Sequence, residues 1–167
     1  MPIPHYSCNF DQKYIKPWKD RKYNLSFMGD FNSHQSRIFL KKVLKSKERC
    51  AIIDTNTWHF YSDEKIQKIN KQNYIELLGD TKFSLCPRGT GPSTIRIWES
   101  MAMNSHPLIL SDTLKMPLDF FLETMLWTFR PENEIEYDLN FQEEYDNKEY
   151  WQYFSNENLY KSIINYL

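Results

Sequence analysis

Several features that would assign a function quickly are missing from this 167-residue sequence. Its three cysteines, Cys8, Cys50 and Cys86, are an odd number with no Cys-x-x-Cys pair, which argues against a disulfide framework and a zinc site. No apolar run approaches the length of a membrane span, and no signal peptide opens the chain, so the sequence as it stands is expected to be soluble and reduced. Internal repeats and low-complexity tracts are absent. So is the G-x-x-x-x-G-K-[ST] loop of P-loop nucleotide hydrolases, which makes that chemistry an unpromising reading. Twenty-one Lys and Arg against 22 Asp and Glu leave a formal charge of -1, and these totals give no reason to expect a nucleic acid partner.

What is there favours a folded domain. Hydrophobic residues make up 41% of the chain and aromatics 16%, enough apolar surface for one core at this length. The charge is uneven: residues 1–50 hold eleven Lys or Arg and four acids, whereas residues 131–167 hold nine acids and two lysines. Two solvated faces would explain this, and so would a basic half that draws in an anion.

Pattern reading divides the chain into an irregular lead-in (1–22), an α/β domain (23–140) and a helical C-terminal extension packing on it (141–167). Short apolar runs predict strands at Asn24–Met28, Cys50–Asp54, Lys82–Cys86 and Pro107–Leu110, with a possible edge strand at Met125–Phe129. Helical spacing predicts His34–Lys45 with Ile38, Val43 and Leu44 inward, and Lys65–Leu78 with Tyr74, Leu77 and Leu78 inward and Gly79 as its stop. A third helix is expected at Ser93–Met103, a loop and short helix at Leu114–Phe121, and a terminal helix at Glu149–Leu167. Strands alternating with helices imply βαβ units and a Rossmann-like parallel sheet flanked by helices.

The chemistry concentrates in Phe83–Asp112, FSLCPRGTGPSTIRIWESMAMNSHPLILSD. Gly89 and Gly91 would let backbone approach a ligand and adopt conformations closed to other residues. Pro92 fits a first helical position, leaving the N–H groups of Ser93 and Thr94 at a helix N-terminus that favours phosphate. Arg88 and Arg96 add forked donors. On the helix, Ile95, Trp98 and Ala102 form an apolar row with Ile97 and Met101 beside it, while Ser93, Arg96, Glu99 and Ser100 face the other way. Glu99 is placed to take ribose hydroxyls; equally, Arg96 and Glu99 at i, i+3 would make an ordinary surface ion pair.

The wording of this segment closely resembles the signature of the exostosin family (family 47) of glycosyltransferases: CPRG, a Gly-Pro-Ser turn, an Arg and a Glu, then a Pro-led strand and Ser-Asp. The resemblance extends over roughly residues 20–140, with Tyr23–Leu40 matching an earlier strand, its Phe-x-Gly and a downstream Arg. It implies a single GT-B-type lobe, the C-terminal one that binds the donor, a UDP- or GDP-sugar. Arg88, Gly89, Gly91, Ser93 and Thr94 would cradle the diphosphate, Arg96 would neutralise the leaving charge, Glu99 would hold the ribose, and Gly29 and Arg37 would close the site. Thr55 and Asn56 would lie near the base.

The resemblance further implies transfer of the sugar to a glycan or protein acceptor, with no cofactor and, given the lack of any Asp-x-Asp triplet, no metal. The general base stays unassigned, because an N-terminal lobe or partner subunit would supply it. A chain of this extent is then an excised domain, a half-enzyme, or a non-catalytic module or truncated relic. If it is part of a longer chain, a Golgi lumen location follows. Where the family has Gly-Cys-Ile-Pro-Val, this sequence has Asn104-Ser105-His106-Pro107-Leu108; Asn suits a left-handed helix cap. His106 reads as a satisfied loop histidine or a donor to the sugar.

Overall fold

The computed structural model describes residues 9–44, 48–56, 63–114, 128–130, 142 and 144. In chain order the elements are β1 (Tyr23–Gly29), α1 (Gln35–Leu44), β2 (Cys50–Asp54), α2 (Glu64–Gly79), β3 (Thr81–Pro87), α3 (Arg96–Ala102), β4 (His106–Leu110) and β5 (Thr128–Arg130). The five strands form one sheet in the order β2-β1-β3-β4-β5, and every pairing is parallel. This is the α/β sheet with flanking helices that the strand-helix alternation implied.

The order reverses direction between β1 and β3, which defines the switch point of an open α/β sheet. There the two strands part company. Their pairing runs through Tyr23–Thr81, Leu25–Phe83 and Ser26–Ser84. Beyond Ser26, β1 stays paired to β2 up to Gly29–Asp54, and beyond Ser84, β3 stays paired to β4 up to Pro87–Leu110. A seam therefore opens at the carboxyl ends of the two strands.

Alternation along the strands builds two cores. Leu25, Phe27, Phe83, Leu85, Leu108 and Leu110 join Leu40 of α1 on one side. Met28 and Ala51 pack with Leu77 of α2 on the other, where Ile75 and Leu78 meet Met103 just after α3. Trp18, from the lead-in, belongs to the first core, edge-on to Phe83 at 5.7 Å. Arg21 is 1% exposed and donates to the carbonyls of Lys16, Thr81 and Asn104. The described part of the lead-in, residues 9–22, thus holds two short 3-10 turns that close the amino end of the sheet.

Two elements differ from expectation. Ile38 is 41% exposed, not inward; among the described side chains of α1 the inward ones are Ser36 and Leu40. A residue two positions from each lies about 200° around the helix from both, so Ile38 faces water. The side chains of Val43 and Leu44, residues 115–121 and the expected helix at Glu149–Leu167 lie outside the described residues. The edge strand is Thr128–Arg130, pairing with Leu108–Leu110.

Candidate functional site

Helix α3 starts at Arg96, with Ile95 as its cap, three residues later than the glycine-proline spacing suggested. The chain enters it through tight turns, Ile97 N–H to the Thr94 carbonyl at 3.4 Å and Trp98 N–H to the Ile95 carbonyl at 3.1 Å. Pro92 is consequently exposed in the loop and does not occupy the first helical position. Ser93 and Thr94 are half-buried in that loop and make no hydrogen bond with the arginines among the described residues. Ile95, outside the helix proper, is 37% exposed. With seven residues, α3 has too short a dipole to act as the main anion-binding device.

Two arginines stand at the seam. Arg96 is 9% exposed; its guanidinium enters the seam between β1 and β3 and donates from Nη2 to the Met28 carbonyl at 2.6 Å. That carbonyl lies past the end of the β1–β3 pairing. Arg37, on α1, donates from Nε to the Arg88 carbonyl at 2.8 Å and from Nη1 to the Asp30 carbonyl at 3.0 Å. The Phe27 ring carries both cations, with the Arg96 guanidinium carbon 4.4 Å and that of Arg37 5.4 Å from its centroid. Tyr74 of α2 lies against Arg96 at 5.1 Å.

Both guanidiniums are thus held by neutral carbonyls and aromatic faces. Among the described residues no carboxylate forms an ion pair with either. Burial first, and then the neighbouring Arg96 charge, pulls Arg37 down from 12.5 to about 10. Nε of Arg96 is buried with no hydrogen-bond partner. Arg37 is thus held charged at a desolvation cost beside a second guanidinium.

The three glycines around the seam and its loop fall into two groups. A Cβ on Gly29 would come within 3.1 Å of Arg96 Nη2, and one on Gly89 within 3.1 Å of Arg37 Nη2, so each is small to let a guanidinium pass. Gly91 has nothing within 4 Å of such a Cβ, and no described glycine has a positive φ. The unusual backbone expected at Gly89 and Gly91 is not adopted, because the loop swings outward at Thr90–Gly91 without a left-handed turn.

Glu99 is 2% exposed and is not half of a surface ion pair. Its Oε1 accepts from the Asn9 side-chain amide at 2.6 Å and its Oε2 from the Tyr74 hydroxyl at 2.8 Å. Burial, above all, raises the Tyr74 phenol well above its usual value despite the opposing pull of Arg96, so it stays protonated and donates. The structure therefore brings together Gly29, Arg37, Arg88, Gly89, Arg96 and Glu99, and leaves Gly91, Ser93 and Thr94 along the flanking loop. Thr55 donates its N–H to the Gly29 carbonyl at 3.2 Å, placing the end of β2 beside the seam.

Phe27, Tyr74 and Asn9 were missed as site residues. Phe27 had a signal, since Phe-x-Gly precedes Arg37; Tyr74 looked like core, and Asn9 carried none. His106 begins β4 at the opposite end of the sheet, 3% exposed and edge-on to Phe83 at 5.4 Å. It is a core histidine, placed at the end of the sheet away from the seam. Asn104 adopts φ 52 and Ser105 N–H reaches the Ser100 carbonyl at 2.9 Å, the left-handed cap the sequence suggested. No group of three or more His, Cys, Asp or Glu suited to a metal occurs among the described residues, and none of their helices is long and apolar enough to cross a membrane.

Residues 5–117 match the family described as "RXYLT1 C-terminal domain". The chain is also similar to the "Probable glucuronoxylan glucuronosyltransferase IRX7" of Arabidopsis thaliana, 28% identical over 132 residues that cover 75% of this chain and 28% of that protein. It is similar to the "Exostosin-1 homolog" of Caenorhabditis elegans as well, 33% identical over 145 residues covering 76% of this chain and 37% of that protein. The chain spans about a third of the length of these relatives. The seam, its two arginines and the CPRG segment lie within the matched region, and the chain belongs to the exostosin-type glycosyltransferases as a C-terminal domain of the RXYLT1 kind.

Proposed function

We propose that this domain binds the diphosphate of a nucleotide sugar at the β1–β3 seam and serves as the donor half of a glycosyltransferase of GT-B architecture. The observation that carries this reading is the pair of guanidiniums, Arg96 buried and Arg37 half-buried, tethered to carbonyls and lacking a carboxylate counter-ion among the described residues. A diphosphate fits two forked cations, and the arginines stabilise most strongly the charge that grows on the leaving nucleotide as the glycosidic bond breaks. Arg88, with its carbonyl holding Arg37, begins the loop through Gly89, Gly91, Ser93 and Thr94 that would wrap the phosphates.

Glu99 receives a ribose hydroxyl on this reading. Since its two oxygens already bind Tyr74 and Asn9, the half-buried Asn9 would give way to the sugar. The acceptor, a glycan or protein hydroxyl, and the group that deprotonates it come from an N-terminal lobe or partner. The two named relatives are both far longer than this chain, which supports a division of labour between lobes.

Calorimetric titration of the purified chain with UDP, GDP and their sugars tests the proposal. Saturable binding by one nucleotide, lost in Arg37→Ala, is the expected result; no binding at millimolar concentration by any of them would overturn it. Binding without sugar transfer, even with the N-terminal region of a relative supplied, would favour a nucleotide-sugar-binding module that performs no transfer.

A further inference from the structure

We infer that Tyr74 is a positioning residue for the anion site: its ring, anchored through its hydroxyl to Glu99, forms one wall of the slot that fixes the Arg96 guanidinium. Arg96 reaches the seam on a long side chain whose only hydrogen bond among the described residues is the one from Nη2 to Met28. A single bond leaves the plane of a guanidinium free to rotate. Two aromatic faces remove that freedom, with Phe27 at 4.4 Å and Tyr74 at 5.1 Å. They also spare the cation from water without neutralising it, which a carboxylate in the same place would do.

The Tyr74 ring is in turn fixed from outside its own helix. Its hydroxyl donates to Glu99 Oε2 at 2.8 Å, and Glu99 lies one turn along α3 from Arg96. The bond thus ties α2 to the helix that carries the arginine, so wall and guanidinium move as one body. Glu99 directs one oxygen to Tyr74 and the other to Asn9. Through Tyr74 it orders Arg96 while no ion pair cancels the charge. This assignment rests on side-chain geometry alone, and only its link to a ligand depends on the anion-site reading above.

Two variants separate the wall from its anchor. Tyr74→Leu removes the aromatic face; Tyr74→Phe keeps the face and the packing but releases it from Glu99. The Arg96 Nε–Hε resonance, assigned by its disappearance in Arg96→Met, is followed by NMR in the ligand-free 167-residue chain. In the wild type a single sharp signal, protected from exchange and shifted by the flanking rings, is expected. Tyr74→Leu should lose the shift and the protection, and Tyr74→Phe should broaden the signal while keeping part of the shift. An Arg96 signal unchanged in both variants overturns the assignment, and Tyr74→Phe alone decides it if Tyr74→Leu does not fold.

Titration with inorganic pyrophosphate then asks what the positioning serves. Tyr74→Leu should weaken binding about tenfold and Tyr74→Phe about threefold in the wild-type background. Neither should have a further effect in Arg96→Ala, since a wall acting through Arg96 has nothing left to hold. Equal losses in both backgrounds would mean a merely structural role and overturn the inference. Absence of pyrophosphate binding by the wild type would instead defeat the anion-site reading, with the Tyr74 assignment still decided by the spectra.

Discussion

Replacing Arg96 with Met should leave the ligand-free fold nearly as stable as the wild type yet cut its response to pyrophosphate to the weak part that Arg37 alone supports. Methionine is unbranched and soft enough to occupy the slot between Phe27 and Tyr74. What disappears is the charged hydrogen bond to the Met28 carbonyl, worth about 1.5–3 kcal/mol, and contacts to two rings, about 1–2 kcal/mol each when desolvated. Two gains offset this loss. The buried charge itself is removed, and Arg37 is relieved of a neighbour. The fall of Arg37 from 12.5 to about 10 sets a ceiling of about 3 kcal/mol on the cost of keeping that second group charged, and burial contributes more of it than Arg96 does. The net change in the ligand-free chain should stay within about 2 kcal/mol.

The ligand response separates the two chains far more clearly. Pyrophosphate at about 100 times its Kd stabilises a binding fold by about 2.7 kcal/mol. At about 2–4 °C per kcal/mol for a chain of this size, the wild type should melt about 5–10 °C higher. Scanning calorimetry with and without pyrophosphate, at matched ionic strength, measures both quantities together. If Arg96→Met kept the pyrophosphate shift, the charge at the seam would be irrelevant to anion binding and the reasoning would be wrong.

Two further outcomes are expected. A Cβ on Gly79 would lie 2.2 Å from the Tyr14 carbonyl oxygen, backbone that cannot step aside, so Gly79→Ala should cost about 1–3 kcal/mol in thermal unfolding; an unchanged midpoint would refute the docking of the lead-in on α2. Burial pushes the Cys86 thiol from 9.0 up to about 12, so the folded state holds that proton more tightly than the unfolded one and the resulting stability is lost as pH rises from about 9 toward 12. Cys86→Ala should melt with a shallower decline between pH 8 and pH 10, where Arg21 and Arg37 titrate alike in both chains and drop out of the comparison, and an equal decline in both chains would reject this.

The strands were legible because buried parallel strands are short apolar runs between polar breaks; Cys50–Asp54 reads the same in sequence and structure. Asn104 was legible through its tolerance of a left-handed backbone, Arg88 and Arg96 through their setting around a glycine-punctuated loop, and Arg37 only through the family resemblance. What the sequence hid was contact across distance. Glu99 finds Asn9 ninety positions away and Tyr74 twenty-five away, and no spacing rule couples them. The start of α3 was misplaced because Gly-Pro-Ser is a good helix opening locally, while the fold uses those residues to carry the loop outward and begins the helix only where Arg96 turns into the seam.

Each arginine is rooted in one strand-helix unit and moored to the other. Arg37 grows from the helix after β1 and is held by the carbonyl following β3; Arg96 grows from the helix after β3 and is held by a carbonyl of β1. Neither unit owns a finished half of the pocket. A graft of the CPRG loop and its helix onto another sheet would carry Arg96 but leave behind its mooring at Met28 and the whole of Arg37. The arrangement is complete only when both units are folded together, although more than fifty residues of chain separate each arginine from its mooring.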